Sequence, residues 1–317
     1  LASRSLLPPC SRGRRRQWPI PMSEFLTNET LMLATGLLLG AILGSFLNVC
    51  AHRIPLGQSI ISPRSYCPKC KAVIPWFRNL PVLTWLVQGG KAKCCGFRIP
   101  MRYWLVEAFL AMAFGLLFHR YVQTPDAGQL LSGCFFVWCM IAVVVIDMQT
   151  MLIPDRFSMG GAVLGVLLSI AFPSIHMIHS ESAFLGGFAG GLNAVIGLLI
   201  GSATLYWIGI LAEKALKKEA LGEGDVKLMG CIGAFCGWKG SLFAIFGGAT
   251  LGALLLVPAM LLGRLRSGEG ENGDGLSWGK EIPFGPYLAL AALLYLLGIR
   301  PWVDAWFDSL GWILSGS

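Results

Sequence analysis

Charge is scarce in this chain. Of 317 residues only 13% are Asp, Glu, Lys or Arg, roughly half the share usual in a soluble domain, which excludes water as its principal solvent. Histidine is scarcer still. His52, His119, His176 and His179 share no spacing or side of the membrane that would suggest a metal site. Acidic residues are missing from one long stretch: Arg53, Arg64, Lys69, Lys71, Arg78, Lys91, Lys93, Arg98 and Arg102 follow Ala51 without a single Asp or Glu. The net charge of +8 raises nucleic acid as a partner. The basic stretch directly follows an apolar run, however, and the positive-inside rule places such short loops in the cytoplasm. Membrane topology, and no nucleic acid, is the expectation. Also lacking is an apolar h-region directly behind Arg4, Arg12, Arg14, Arg15 and Arg16, so Leu1–Pro21 is not a clean signal peptide. The mature protein is expected to begin at or near Met22.

Long uncharged runs are what the chain has instead. A spanning helix needs about 20 mainly apolar residues. Thr30–Ala51, Ala127–Ile146, Phe157–Ile175, Ser182–Ala212, Gly240–Gly263 and Ile282–Ile299 are without charge. Tyr103–Phe118, interrupted by Glu107, and the short Leu228–Trp238 complete the set. The sequence therefore predicts an all-α polytopic membrane protein of about eight transmembrane helices, with a cytoplasmic cysteine-containing loop after the first. The forty glycines suit such a protein, because small residues let spanning helices approach closely. The expected divisions are an extension over 1–29, a first span over 30–50, a basic loop over 51–102, a membrane bundle over 103–299 and a short tail over 300–317. Arg264–Glu281, rich in Gly and acid, reads as a flexible cytoplasmic loop.

An ionisable residue at the edge of a span is costly and a functional candidate by default. Asp147 closes the third predicted span and Asp225 opens the sixth. With the basic loop inside, both fall at the cytoplasmic ends of their helices. Two carboxylates brought together share a proton and titrate as a unit. One can activate a water while the other, protonated, polarises a carbonyl, which is the chemistry of peptide hydrolysis. Against this stands the reading of each Asp as a boundary residue, or of Asp225 as a favourable charge at a helix N-terminus. Gly222 and Gly224 favour function, since glycine lets backbone approach a substrate strand. Asp155 reads as a helix cap, and Lys227 as a side chain snorkelling to the interface.

Cysteine is concentrated in the basic loop. Cys67 and Cys70 form a CxxC pair, and Cys94 and Cys95 follow; reduced cytoplasmic thiols in this arrangement point to structural zinc. The second pair departs from the ribbon pattern, because Ala92 stands where a CxxC ending at Cys95 would need cysteine. The alternative is a shrunken, metal-free loop.

The quartet Gly222–Asp225 (GEGD), Asp147 followed by Ile153-Pro154-Asp155, Gly44–Pro55 (GSFLNVCAHRIP) and Trp104–Glu107 together resemble the type IV prepilin peptidases, of the GxGD class of membrane aspartic proteases. The resemblance covers Met22 to Ile299. It implies that Asp147 and Asp225 remove the basic leader from prepilins or pseudopilins at the cytoplasmic face of the inner membrane. It implies a second activity as well, N-methylation of the new amino terminus with S-adenosylmethionine, tied in that family to the first cytoplasmic loop. It also suggests that Glu281–Ala289, with Pro283 and Pro286, lies near the catalytic pocket. The rival readings are a transporter or assembly scaffold using the acids as a proton path, and a GxGD protease cutting other substrates within the bilayer.

Overall fold

A computed structural model describes residues 28–67, 69–75, 80–217, 221–266 and 283–315. Nine α-helices are present among them: α1 Glu29–Arg53, α2 Leu83–Val87, α3 Met101–Gln123, α4 Ala127–Thr150, α5 Asp155–Ala171, α6 Ala183–Leu216, α7 Glu223–Arg266, α8 Gly285–Leu294 and α9 Arg300–Ser315. A π-helical turn, Tyr295–Ile299, joins α8 to α9. No strand occurs among the described residues, only two isolated bridges, Tyr66 with Val73 and Lys91 with Arg98. Six helical segments are long and apolar enough to cross a membrane: 29–53, 101–123, 127–150, 183–216, 223–258 and 285–310. The expected N-terminal extension up to 27, and most of the expected loop 264–281, lie outside the described residues. The expected tail is helical as far as Ser315.

Helices without a hydrophobic force between them associate by close packing, and glycine supplies it here. In α1, Gly36, Gly40 and Gly44 recur every fourth residue and so share a face. A Cβ on Gly36 would meet Phe114 O of α3 at 2.7 Å, and one on Gly44 would meet Glu107 Cα at 2.8 Å. The seam locks α1 against α3. The apolar centre is built on α4, whose Phe136, Val137, Met140, Ala142, Val143 and Ile146 are wholly buried or nearly so.

A straight α7 of 44 residues would run about 66 Å, twice the roughly 30 Å apolar slab of a bilayer. It is not straight. Gly237 has φ 68° and ψ −176°, a conformation only glycine adopts readily. A Cβ on Gly201 of α6 would lie 3.0 Å from both Met229 O and Ser241 Oγ, groups that an unbroken helix would hold about 18 Å apart. The chain therefore reverses at Gly237. The returning half packs along α8, with Gly240 against Tyr295 and Gly252 against Tyr287. Sequence reading separated these two halves because Lys239 interrupts the apolar run; the reversal itself required the neighbours on α6.

Alternation fixes the two ends of the bundle. α1 runs into the cysteine lobe, α3 leads away from it, and α4 returns to end at Asp147. The first half of α7 starts at that same end with Asp225. The opposite end is tied by polar contacts. Arg300 Nη1 donates to Ile175 O at 3.0 Å, Tyr295 OH donates to Asp304 Oδ1 at 2.7 Å, and Ser169 Oγ lies 3.0 Å from His176 Nε2.

Candidate active site and cysteine cluster

Asp147 sits in the last turn of α4. That helix is stopped by Met151, which adopts a left-handed conformation (φ 53°) and returns its N–H to Asp147 O at 2.8 Å. The chain then passes through Ile153-Pro154 into α5. Asp225 sits in the first turn of α7, where its backbone N–H donates to Gly222 O at 3.1 Å. Both carboxylates are buried, Asp147 at 4% and Asp225 at 8% exposure.

Gly285, the first residue of α8, brings them together. A Cβ placed on it would lie 2.6 Å from Asp147 Oδ2 and 3.3 Å from Asp225 Oδ1. The two oxygens can therefore be no further apart than those distances laid end to end, so at most one water could lie between them. The acids belong to one pocket with α8 as its third wall. Sequence reading brought the Pro283–Pro286 segment near this pocket by resemblance and did not single out Gly285. The available signal was Phe-Gly-Pro at a helix entry, where Pro286 presets the first turn.

The two glycines of GEGD divide their roles. A Cβ on Gly224 would press against Ile153 Cβ at 3.2 Å, so the missing side chain there serves internal packing. Gly222 is exposed, and a Cβ added to it would make ordinary contact with Asp225 Oδ2 at 3.6 Å. Asp155 makes no cap. Pro154 is the N-cap of α5 without any side-chain bond, and Asp155 Oδ1 instead accepts from Lys227 Nζ at 3.1 Å. Lys227 likewise does not stand free at the interface. This exposed pair adds little energy but links the start of α5 to the start of α7, the elements bracketing the dyad.

The four loop cysteines converge. The sulfurs of Cys67, Cys70, Cys94 and Cys95 all lie within 4.8 Å of one another. Cys67 Sγ is 3.6 Å from Cys95 Sγ, and Cys94 Sγ is 3.8 Å from Cys95 Sγ. A tetrahedral zinc with bonds of about 2.3 Å sets its sulfurs about 3.8 Å apart, so the donor set fits zinc. Ala92 is no obstacle. Its carbonyl accepts the Gly96 N–H at 2.8 Å, and its own N–H donates to Phe97 O at 2.8 Å; this tight turn aims both Cys94 and Cys95 at the first pair. Thiols so close compete for ionisation. The Cys70 backbone amide is the chief cause that draws Cys67 down to about 6. Hydrogen bonding to Cys70, then to Cys67, pushes Cys94 up to about 12.

Glu107, noted in sequence as the charge interrupting a span and as part of a motif, clamps this lobe to the bundle. Its Oε2 accepts the Val82 N–H at 2.8 Å, while Asn48 Nδ2 reaches Oε1 at 3.5 Å. Val82 has φ 62°, rare for a β-branched residue, and such a conformation persists only where surrounding contacts enforce it. Arg53, buried at the end of α1, donates to Ser59 O at 3.0 Å and to Pro63 O at 2.8 Å, fixing the opposite edge of the lobe.

Two family models match this chain. Residues 38–121 match the bacterial peptidase A24 N-terminal domain, and residues 134–257, which hold both aspartates, match the type IV leader peptidase family. A protein of Myxococcus xanthus named prepilin leader peptidase/N-methyltransferase is 30% identical over 84% of this chain and 90% of its own length. The chain belongs to the type IV leader peptidase family. Relatives of the same name from Pseudomonas aeruginosa (30% identical, covering 88% of this chain and 94% of their own) and Klebsiella pneumoniae (33%, covering 69% and 91%) agree. No solved structure matches. Within the family frame the first matched region contains the cysteine lobe and the α1–α3 seam from Gly40 onward, and the second contains the two aspartates.

Proposed function

We propose that this chain is a membrane aspartic endopeptidase that removes the leader from type IV prepilins or pseudopilins, with Asp147 and Asp225 as its catalytic pair. The observation that carries the reading is the convergence of two buried carboxylates on Gly285. One aspartate, ionised, takes a proton from a water held between the pair. The water oxygen attacks the scissile carbonyl carbon while the other aspartate, protonated, hydrogen-bonds to the carbonyl oxygen. The tetrahedral adduct collapses as the first aspartate returns its proton to the departing amine. Gly222, exposed beside Asp225, is where a substrate backbone would pass.

The relatives' name adds N-methyltransferase, and we extend that activity to this chain with S-adenosylmethionine as methyl donor. Zinc held by Cys67, Cys70, Cys94 and Cys95 would brace the lobe, a structural and non-hydrolytic role. The excess of Lys and Arg over 51–102 supports a cytoplasmic lobe and dyad, in a multi-pass protein of the inner membrane. With α5 and the two halves of α7 each counted as crossings, the bundle has eight spans. A proton-path or scaffold role fits less well, because the buried acids form one pair at one end and not a chain of polar groups through the bundle.

The test is processing of a prepilin in cells lacking their own leader peptidase. Asp147→Asn and Asp225→Asn should each leave the precursor uncut while the protein still accumulates in the membrane. Wild-type processing by either variant would remove the dyad from the mechanism.

A further inference from the structure

The segment that leads from Asp147 into α5 carries one side chain that touches both other walls of the dyad pocket. Ile153 precedes Pro154, which confines it to extended backbone, and its branch at Cβ restricts χ1. The side chain is therefore a stiff projection. It is half-buried and packs against the apolar core. The three atoms nearest to a Cβ placed on Gly224, the residue before Asp225, all belong to Ile153: Cβ at 3.2 Å, Cγ1 and Cδ1 at 3.5 Å. A Cβ on Gly285, which lies against both carboxylates, would stand 2.9 Å from Ile153 Cδ1. Two glycines on two different helices thus leave the space that one isoleucine fills. The segment is anchored on both sides of it. Met151 returns its N–H to Asp147 O at 2.8 Å, and Asp155 holds the Lys227 ammonium at 3.1 Å, which ties Ile153 between α4 and α7.

We infer that Ile153 is a positioning residue for cleavage, a spacer whose length sets how closely Asp225 on α7 and the start of α8 approach Asp147; the inference rests on the peptidase reading above. Without this side chain Gly224 and Gly285 would face a void, and a packed interior tends to close on one. Its atoms divide between the two helices. Cβ and Cγ1 bear on Gly224 and so on α7, whereas Cδ1 is the atom that Gly285 meets. Valine keeps the branch and lacks Cδ1, so Ile153→Val should free α8 while leaving α7 in place. Leucine keeps the volume and moves the branch from Cβ to Cγ, so Ile153→Leu should crowd α8 and loosen α7. The distances are small, yet a pair of carboxylates sharing a proton responds to them. Their repulsion falls with separation, and the gap between their two titration steps narrows with it.

The experiment follows cleavage of a purified prepilin by the full-length protein in detergent, with kcat and KM measured across pH. Ile153→Val should lower kcat by about tenfold, less than the roughly 100-fold of a full 1 Å misplacement, and leave KM nearly unchanged. The two limbs of its pH profile should draw together. A residue that merely supports folding would lower Tm and leave both limbs in place, so unmoved limbs overturn the assignment. Ile153→Leu, equal in volume, should fold as the wild type does and cleave more slowly; wild-type cleavage by it overturns the division of contacts. A double variant gives an independent readout. Gly285→Ala sets its methyl against Ile153 Cδ1, and Ile153→Val removes that atom. The pair together should cut faster than Gly285→Ala alone, a direct coupling, whereas losses that simply multiply would overturn the spacer role. If Asp147→Asn and Asp225→Asn process normally, the peptidase reading fails and this one with it. If they are inactive while Ile153→Val keeps wild-type kcat and limbs, only the positioning role fails.

Discussion

Replacing Gly285 with alanine adds one methyl group at the point where α8 meets both carboxylates of the proposed catalytic pair. The new Cβ would lie 2.6 Å from Asp147 Oδ2 and 2.9 Å from Ile153 Cδ1. Ordinary contact begins at 3.4 Å, so Asp147 must withdraw by the better part of an ångström, or α8 must move away by as much. Neither escape is free, since Asp147 ends a buried helix and Ile153 is held by Gly224. Overpacking of this kind costs about 1–3 kcal/mol, partly offset by the roughly 1 kcal/mol that alanine gains over glycine within a helix. Net stability should thus change by less than about 2 kcal/mol. Activity is more sensitive, because a misplacement near 1 Å can cost about 100-fold in rate. The assay is cleavage of a purified prepilin by detergent-solubilised protein, with thermal unfolding followed on the same sample. The expected result is kcat/KM lowered by about two orders of magnitude with a folded chain. Wild-type cleavage by Gly285→Ala would refute the placement of α8 as the third wall of the dyad.

Two further outcomes follow from contacts away from the dyad. Gly233→Ala would drive a Cβ into the backbone carbonyl of Gly197; because backbone cannot swing aside, the α6–α7 contact should lose about 1–3 kcal/mol or more, read as a lowered Tm in detergent. His176, beyond the end of α5, is held down to about 4, first by burial and then by the Arg300 cation. Once unfolded it takes up a proton near its ordinary 6.5, so its contribution is whole above pH 6.5 and declines as the pH falls toward 4, by up to roughly 3 kcal/mol. A His176→Gln chain should show a flatter acid limb in Tm against pH, and identical limbs would exclude His176 as its source.

The sequence by itself determined the solvent and the helical class, and it singled out the two acids proposed to react. Scarce charge and long apolar runs report a bilayer because composition senses solvent locally. Asp147 and Asp225 stand out because a carboxylate at the edge of such a run is costly, and the cysteine pairs stand out by spacing. Only the tertiary structure decided how these pieces meet. Gly285 lies far along the chain from Asp147, and nothing local distinguishes a glycine packed against a carboxylate from one facing lipid. The reversal at Gly237, the engagement of Lys227 by Asp155 and the clamp of Glu107 on Val82 are likewise long-range contacts between helices. Ala92 looked like a defect when zinc ligands were counted by spacing. In three dimensions the turn through its carbonyl turns Cys94 and Cys95 toward Cys67 and Cys70, because a metal site depends on where sulfurs lie and not on their intervals in sequence.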